Sequence, residues 1–345
     1  MMTLWSRRAC VLALALAVGA LAVGAESRAA DERSYILATA TTGGTYYPVG
    51  VALATVTKVK LQPTENISLS AITSAGSGEN IKLLRENQAQ FAILQGLYGV
   101  WAWKGTGELK GMEPQTDLRS VSMLWQNVDH FAVRSDAVST GDMSDLTNIK
   151  GQKFSIGKRN SGTEGSNRTI LEGLGIDPDT TFDLVYLGYG PSAEALQNGT
   201  IAGMNTPAGV PVSAVTQAAA ALGNRMRILD FTDEQLAKVN DYAGVELWTR
   251  YDIPPETYPG QSKEIRTIAQ PNFLAVRADV DEEAVYLITK TIYENLGFLQ
   301  GIHQATKAMA LEKAIAGLPF PLHPGAARYY KEAGVTIPDK LLPPT

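Results

Sequence analysis

Cysteine and histidine are almost absent from this sequence of 345 residues. It contains one cysteine, Cys10, and three widely separated histidines, His130, His303 and His323. A disulfide needs two cysteines, and a zinc site needs several Cys or His residues at short spacings. The composition therefore excludes an intrachain disulfide, and we expect neither a metal site nor a cofactor.

Positive charge is also in short supply. The sequence has 30 Lys and Arg residues against 35 Asp and Glu residues, which gives a net charge of −5 at pH 7. Nucleic-acid binding needs basic clusters, and peripheral membrane binding commonly uses a basic amphipathic helix. We therefore predict no nucleic-acid partner and no direct insertion of the mature chain into a membrane.

The motifs of several common enzyme classes are missing as well. No serine lies in a G-x-S-x-G nucleophile elbow, no P-loop Gly-Lys-Ser/Thr occurs, and no two histidines have metal-binding spacing. Acidic pairs such as Asp233-Glu234 open predicted helices, where carboxylates complement the helix dipole. We therefore expect that the protein is not an enzyme.

One long apolar run lies near the N-terminus. Residues 1–25 carry Arg7 and Arg8 ahead of this run and end in small residues, an order that predicts a secretory signal peptide cleaved after Ala25 or, alternatively, after Ala30. A transmembrane anchor is the rival interpretation, but the run is short and Ala-rich. Cleavage after Ala25 removes two arginines and no acidic residue, so the net charge becomes −7. Export by the Sec or the twin-arginine route stays open.

Three segments share the most informative pattern, in which a short apolar run leads through a Gly/Ser/Thr loop into a helix. They are Tyr35–Tyr47, Leu69–Asn80 and Phe154–Thr169. Backbone N–H groups at a helix N-terminus lack intrahelical partners and lie at the positive end of the helix dipole, so they bind anions. The pattern predicts a cleft for a small carboxylate or phosphate.

The order of apolar and polar stretches predicts an α/β fold with mostly parallel strands. The alternation stops in the polar segment Arg134–Lys150 and then restarts, whereas only helical patterns follow Val276. We therefore predict that residues 33–133 and 270–345 form lobe one and that residues 134–269 form an inserted lobe two. Two crossings between such lobes make a hinge beside a central cleft.

Candidate ligand contacts lie where the loops open helices and at the ends of strands. Glycines allow close approach, hydroxyls supply donors, and tyrosines supply walls with a polar tip. The candidates are Gly44, Thr45, Tyr46, Tyr47, Ser74, Ser77, Gly78 and Gln95 in lobe one, and Ser161, Gly162, Thr163, Tyr189, Ala208 and Gly209 in lobe two.

Some of these residues have a structural alternative. Thr45 is also placed to cap a helix, and the loop Ser74–Asn80 is equally suited to a capping turn. Lys158, Arg159 and Arg168 lie beside the third loop and suit a carboxylate, but cations at such positions are usually solvated. We therefore rank these cations below the Ser and Thr residues.

Several motifs resemble those of the TAXI-type substrate-binding proteins of tripartite ATP-independent periplasmic (TRAP) transporters. The resemblance extends from about Arg33 to Thr345, and order and spacing together carry it. The motifs are Thr42–Pro48 (TGGTYYP), Gly76–Asn80 (GSGEN), Phe91–Gln95 (FAILQ), Ser161–Glu164 (SGTE), Ala208–Pro211 (AGVP) and Pro321–Ala326 (PLHPGA) with Tyr329 and Tyr330.

This resemblance implies a two-lobed periplasmic-binding-protein fold and a role in transport. The protein would bind a small organic anion, a glutamate-like amino acid or a dicarboxylate, in the periplasm and deliver it to the membrane permease subunits of a TRAP transporter. The ligand contacts that the family implies are Gly44, Thr45, Tyr46, Tyr47, Ser74, Ser77, Gln95, Ser161, Gly162, Thr163 and Gly209. A periplasmic sensory protein that serves a signalling receptor is the alternative function.

Overall fold

Eleven β-strands form two mixed sheets in the computed structural model, which describes residues 32–344. The predicted signal peptide and Cys10 lie outside the described residues. The strands are β1 Arg33–Ala38, β2 Ile67–Ile72, β3 Phe91–Gln95, β4 Leu118–Val128, β5 Phe131–Arg134, β6 Lys153–Ser155, β7 Asp183–Val185, β8 Gly203–Asn205, β9 Met226–Ile228, β10 Thr249–Ile253 and β11 Ile265–Arg277.

Helices connect these strands and cover the sheets. Among residues 32–344 they are α1 Tyr46–Glu65, α2 Ser77–Arg85, α3 Gly96–Lys104, α4 Gly162–Gly173, α5 Pro178–Thr181, α6 Tyr189–Gln197, α7 Ser213–Leu222, α8 Asp233–Ala243, α9 Glu282–Glu294, α10 Leu296–Ile302 and α11 Pro324–Glu332. Short 3₁₀ turns lie between several of them. Helix α1 packs on β2, and α9 packs against α11.

The first sheet has the strand order β10-β11-β3-β1-β2. Strand β10 pairs with residues 265–269 of β11, and β4 pairs with residues 269–277. Strand β1 is parallel to β2 and β3, whereas β11 is antiparallel to β3, β4 and β10. All five residues of β3 are buried. A strand that is covered on both faces has this continuous apolar sequence, because neither face meets water.

The second sheet has the order β7-β6-β8-β5-β9. Strand β6 is parallel to β7 and β8, and β5 is antiparallel to β8 and β9. The expectation of mostly parallel strands is therefore wrong for the strands next to the crossings. These strands run antiparallel because the chain enters each sheet from the other sheet instead of through a βαβ connection.

The chain passes between the sheets at two places. Between β4 and β5 only Asp129 and His130 intervene, whereas helix α8 lies between β9 and β10. Strand β11 pairs with β10, β3 and β4, so it belongs to the first sheet over its whole length. The predicted two-lobed α/β fold with two crossings is confirmed, while the lobe boundaries at 133/134 and 269/270 stay a prediction. No helix within residues 32–344 is long and apolar enough to cross a bilayer.

Candidate ligand-binding site

A pocket lies where loops from both sheets meet; its atom-free space of about 460 Å³ includes open solvent, and the centres of water-sized spheres can occupy about 30 Å³ of it. Residues that follow β1 and β2, with Gln95 and Asn127 at the carboxyl ends of β3 and β4, line one side, and residues that follow β6, β7 and β8 line the other. Carboxyl ends of strands are the usual ligand-binding edge of open α/β sheets. The location therefore agrees with the cleft that the sequence predicts.

Four helices of the described chain begin at this pocket. Helices α1 and α2 approach from the first sheet, and α4 and α6 approach from the second. Thr45, Gly76 and Gly188, the residues that precede α1, α2 and α6, make no capping hydrogen bond with a side chain in the described structure. The first-turn N–H groups thus direct partial positive charge into one small space.

Ten of the fourteen predicted contacts line the pocket. These ten are Gly44, Thr45, Tyr46, Ser77, Gln95, Ser161, Gly162, Thr163, Tyr189 and Ala208. Tyr47, Ser74, Gly78 and Gly209 lie outside the lining. A direct contact of any of the fourteen with a ligand stays a prediction.

Two of the residues outside the lining have a clear structural role. The hydroxyl of Ser74 donates to the carbonyl of Thr39 or to Asn80 Oδ1, and it accepts the Gly76 N–H, so it shapes its own loop. A β-carbon at Gly78 would lie 2.6 Å from the Asn160 carbonyl oxygen. Gly78 therefore allows the second-sheet loop to approach α2.

Hydrogen bonds join the two sides of the pocket. Thr45 Oγ1 donates to the Gly209 carbonyl at 3.2 Å and accepts the Gly209 N–H at 3.1 Å. The Glu79 N–H donates to the Asn160 carbonyl at 3.0 Å, and the Tyr98 hydroxyl donates to the Ser161 carbonyl. Thr45 thus uses its hydroxyl to hold the two lobes together instead of capping α1.

Other hydroxyl groups of the pocket, on Tyr189, Thr163, Ser161 and Ser77, differ in their hydrogen-bond partners. Tyr189 donates to the Pro207 carbonyl at 2.6 Å, so Thr163, whose Oγ1 lies 2.8 Å away, donates to Tyr189. Ser161 Oγ accepts the Glu164 N–H as the cap of α4, and Ser77 Oγ accepts the Gln95 N–H. Accepting a hydrogen bond leaves the hydroxyl proton of Ser161 able to donate into the pocket, whereas the Ser77 hydroxyl also hydrogen-bonds with Tyr46.

Of the three cations considered from the sequence, one lines the pocket. Arg168 binds both carboxylate oxygens of Asp179, at 2.8 and 3.1 Å, and the guanidinium of Arg159 lies 3.6 Å from the centre of the Tyr186 ring. Lys158 is exposed and lines the pocket rim. It therefore adds a full positive charge to the partial charges of the helix ends.

Two buried amide side chains in the lining have unused polar atoms. Gln95 Oε1 and both amide atoms of Asn127 have no hydrogen-bond partner among the described residues, and the two side chains are 3% and 1% exposed. Buried polar atoms nearly always have a partner, because leaving one unpaired costs about 1–3 kcal/mol. These atoms are therefore available to a polar ligand or to water.

Asn127 is not among the ligand contacts that the sequence predicts. The apolar run Leu118–Trp125 predicts a strand that ends at Trp125, whereas β4 continues to Val128. The available signal was the polar pair Gln126-Asn127 at the carboxyl end of an apolar run, where open α/β sheets place ligand contacts.

An acidic side chain lies at the first crossing, behind Tyr189. Asp129 is fully buried and accepts hydrogen bonds from Asn205 Nδ2 at 2.8 Å and from Trp248 Nε1 at 3.2 Å. Burial raises the pKa of Asp129 to about 7, although the two N–H donors favour the charged form. Burial likewise raises the pKa of Tyr189, and the nearby Asp129 adds to that effect.

The described residues offer no site for a metal ion. Within residues 32–344, no group of three or more His, Cys, Asp or Glu side chains is arranged to hold one. His130, which follows Asp129, is buried, and both of its ring nitrogens are hydrogen-bonded. Nδ1 lies 2.8 Å from the Val128 carbonyl oxygen, and Nε2 lies 2.7 Å from the Tyr258 hydroxyl.

The model of the NMT1-like family matches residues 37–334, which is most of the sequence. The chain belongs to the NMT1-like family. Because the match includes both sheets and every pocket-lining residue, the site is part of the family's domain.

Solved structures give a second comparison for this NMT1-like protein. MatC from Rhodopseudomonas palustris, solved with bound malate, is 14% identical with a TM-score of 0.52, and the match covers 87% of this chain and 98% of MatC. A TctC solute-binding protein from Polaromonas is 15% identical with a TM-score of 0.44, covering 81% and 87%. The periplasmic sulfonate-binding protein SsuA from Methylobacillus flagellatus is 13% identical with a TM-score of 0.44, covering 82% and 73%. At such identities the likeness to MatC shows the shared fold alone.

Proposed function

We propose that this protein is an extracytoplasmic solute-binding receptor that captures a small organic anion. The observation that supports this function best is the convergence of four helix N-termini, two from each sheet, on one pocket. Helix N-termini stabilise anions, and a ligand that contacts both sheets bridges the lobes. The ligand class is a glutamate-like amino acid or a dicarboxylate.

Ligand binding on this fold is a shift between open and closed arrangements of the lobes. Contacts between the lobes, such as Thr45 with Gly209 and Glu79 with Asn160, are present in the described structure, and we assign them to the closed arrangement. An anion that binds the N–H groups of both lobes adds free energy to this closed arrangement alone, so it shifts the equilibrium towards closure.

We further propose that the closed complex delivers its ligand to the permease subunits of a TRAP transporter in the periplasm, as a protein of the TAXI type. The order of motifs from Thr42–Pro48 to Pro321–Ala326 supports this finer identity. MatC holds malate on the same fold, so the fold accommodates a small carboxylate.

A catalytic function has little support in the pocket. The hydroxyls of Ser77 and Ser161 are the candidate nucleophiles, and neither His nor Asp nor Glu is among the lining residues of the described structure. Nucleophilic catalysis by a serine needs an adjacent base. We therefore propose that the protein binds its ligand and releases it unchanged.

Isothermal titration of the mature protein against a panel of amino acids, dicarboxylates, sulfonates and phosphates tests this function. We expect saturable, one-to-one binding of at least one organic anion, with a Kd in the micromolar range or below. The Kd should change little between low and moderate salt, because buried helix ends are screened less than exposed cations. Silence across the whole panel would contradict the proposal.

A further inference from the structure

Among the described residues, the charges that line the pocket are positive. Its lining includes the cation Lys158 and four helix N-termini, but no Asp or Glu among the residues that the structure describes. An ammonium group is stabilised by a carboxylate and destabilised by the positive end of a helix dipole. The pocket therefore lacks a charged partner for the ammonium group of an amino acid.

The acidic residues near the pocket are already committed elsewhere. Glu79 and Glu164, in the first turns of α2 and α4, turn back and accept the N–H groups of Ala75 and Asn160. Asp129 lies behind the lining, and its two oxygens accept Asn205 and Trp248. None of the three lines the pocket, so none presents its carboxylate to a ligand.

The wall of the first sheet behind the pocket is rich in hydrogen-bond donors. Asn127 lies opposite Gln270 in the β4–β11 ladder, and Asn272 lies opposite both Trp125 and Gln95. Directly opposed residues point to the same face of a sheet. These five side chains therefore share one face.

Two amides on this face have a fixed orientation. Gln270 Oε1 accepts the Leu97 N–H at 2.9 Å, and Asn272 Oδ1 accepts the Tyr46 hydroxyl. The donors left without a partner on this described face are Gln270 Nε2, Asn272 Nδ2, Trp125 Nε1 and Asn127 Nδ2, and the acceptors left without one are Gln95 Oε1 and Asn127 Oδ1. Unpaired donors therefore outnumber unpaired acceptors on this described face, which favours acceptor groups on a ligand, and Asn127 and Gln95 are its members that reach the pocket.

We propose that the pocket selects organic anions without an ammonium group, namely dicarboxylates and oxo or hydroxy acids, and that Asn127 and Gln95 bind the ligand's second polar group. The first carboxylate binds the N-termini of α1, α2, α4 and α6. The second group faces the neutral amides, and Asn127 Nδ2 donates to its oxo, hydroxyl or carboxylate oxygen. This inference rests on the proposed function and narrows its ligand class.

Two matched pairs of acids isolate the ammonium group. 2-Oxoglutarate and glutamate differ at one carbon, which bears an oxo group or an ammonium group, and malate and aspartate differ in the same way by a hydroxyl. Titration of the wild-type mature protein with all four acids should give at least tenfold tighter binding for one non-amino member than for its amino partner. Glutamate or aspartate binding as tightly as its partner would overturn the inference and leave the proposed function standing. Failure of all four acids, together with the wider panel, would instead remove the proposed function.

Substitution of Asn127 tests its role in this selectivity. Asn127→Asp places a carboxylate beside the pocket, so the ratio of affinities for 2-oxoglutarate and glutamate should fall at least tenfold, mainly through weaker binding of 2-oxoglutarate. Gln126→Glu is the matched control, because the neighbouring side chain points to the opposite face of β4 and does not line the pocket. This variant should keep the wild-type ratio.

Gln95→Glu supplies an independent variant in case Asn127→Asp fails to fold, and circular dichroism reports the fold of each protein. Gln95→Glu should also lower the ratio of the affinities for 2-oxoglutarate and glutamate. A folded Asn127→Asp or Gln95→Glu protein that keeps the wild-type ratio would overturn the assignment of that residue.

Discussion

Replacing Gly78 with alanine should weaken ligand binding roughly 5- to 150-fold without lowering the stability of the unliganded protein. A β-carbon at this position would lie 2.6 Å from the backbone carbonyl oxygen of Asn160, which belongs to the opposite side of the cleft. A backbone atom cannot turn aside as a flexible side chain can. Overpacking costs about 1–3 kcal/mol, and here that cost falls on the closed arrangement, which gives the stated range.

The stability of the unliganded protein separates this effect from damage to the fold. Gly78 is the second residue of α2, and alanine is the better helix former there by roughly 0.5–1 kcal/mol. Gly297 is the second residue of α10, and a β-carbon there meets nothing within 4 Å. Gly297→Ala is therefore the matched control. Titration and thermal unfolding of both variants, with the tightest acid of the panel, should show weaker binding for Gly78→Ala alone. Equal affinities would contradict the closure account.

The second large effect concerns Asp129 and pH. Burial raises its pKa from 3.8 to about 7, so the folded protein holds a proton on this carboxyl that the unfolded chain has already released. The contribution of Asp129 to stability is therefore greatest at low pH and is lost as the pH rises from about 4 to about 7. Between pH 5 and 8 the loss is roughly 3 kcal/mol in the free energy of unfolding.

Two histidines act in the opposite direction on the acid side. Burial lowers the pKa of His130 and of His323 to about 4, so the folded state loses stability as the pH falls from about 6.5 towards 4. Asp129→Asn removes only the carboxyl, and both proteins keep the histidines. Denaturant titrations at pH 5 to 8 measure the unfolding free energy of both proteins. The value of the wild type should fall relative to that of the variant as the pH rises. Parallel curves would show that Asp129 does not titrate in this range.

Much of the site could be predicted from sequence because its signals are local. Each loop of Gly, Ser and Thr follows its own strand and opens its own helix, so neighbouring residues alone locate Thr45, Ser77 and Ser161. The α/β alternation then indicates that the carboxyl ends of the strands meet at one edge. The convergence of the loops followed from these two local rules together.

Asn127 and the function of Thr45 depend on distant residues, and sequence patterns do not show such contacts. Asn127 belongs to the donor-rich face because β11, more than 100 residues later, pairs with β4. The Thr45 hydroxyl has a partner, Gly209, in the other lobe. The pattern around Thr45 predicted either a cap or a ligand contact, and it contained no information on this third role.

Some local predictions failed because side chains take over backbone hydrogen bonds. The apolar run Val245–Trp248 predicted a strand, but Asn240 Oδ1 accepts the N–H groups of Leu247 and Trp248, and β10 begins only at Thr249. The run Leu296–Thr306 predicted one helix, but α10 ends at Ile302. The Thr306 hydroxyl binds the carbonyl of Leu299 or of His303, so this segment turns instead of continuing the helix.

A crystal structure of the protein with the tightest-binding acid of the panel tests the central claim most directly. The account predicts one carboxylate within hydrogen-bond distance of N–H groups at the starts of α1, α2, α4 and α6, and the second polar group at Asn127. A ligand bound away from these helix ends, or held through Lys158 alone at the rim, would contradict it.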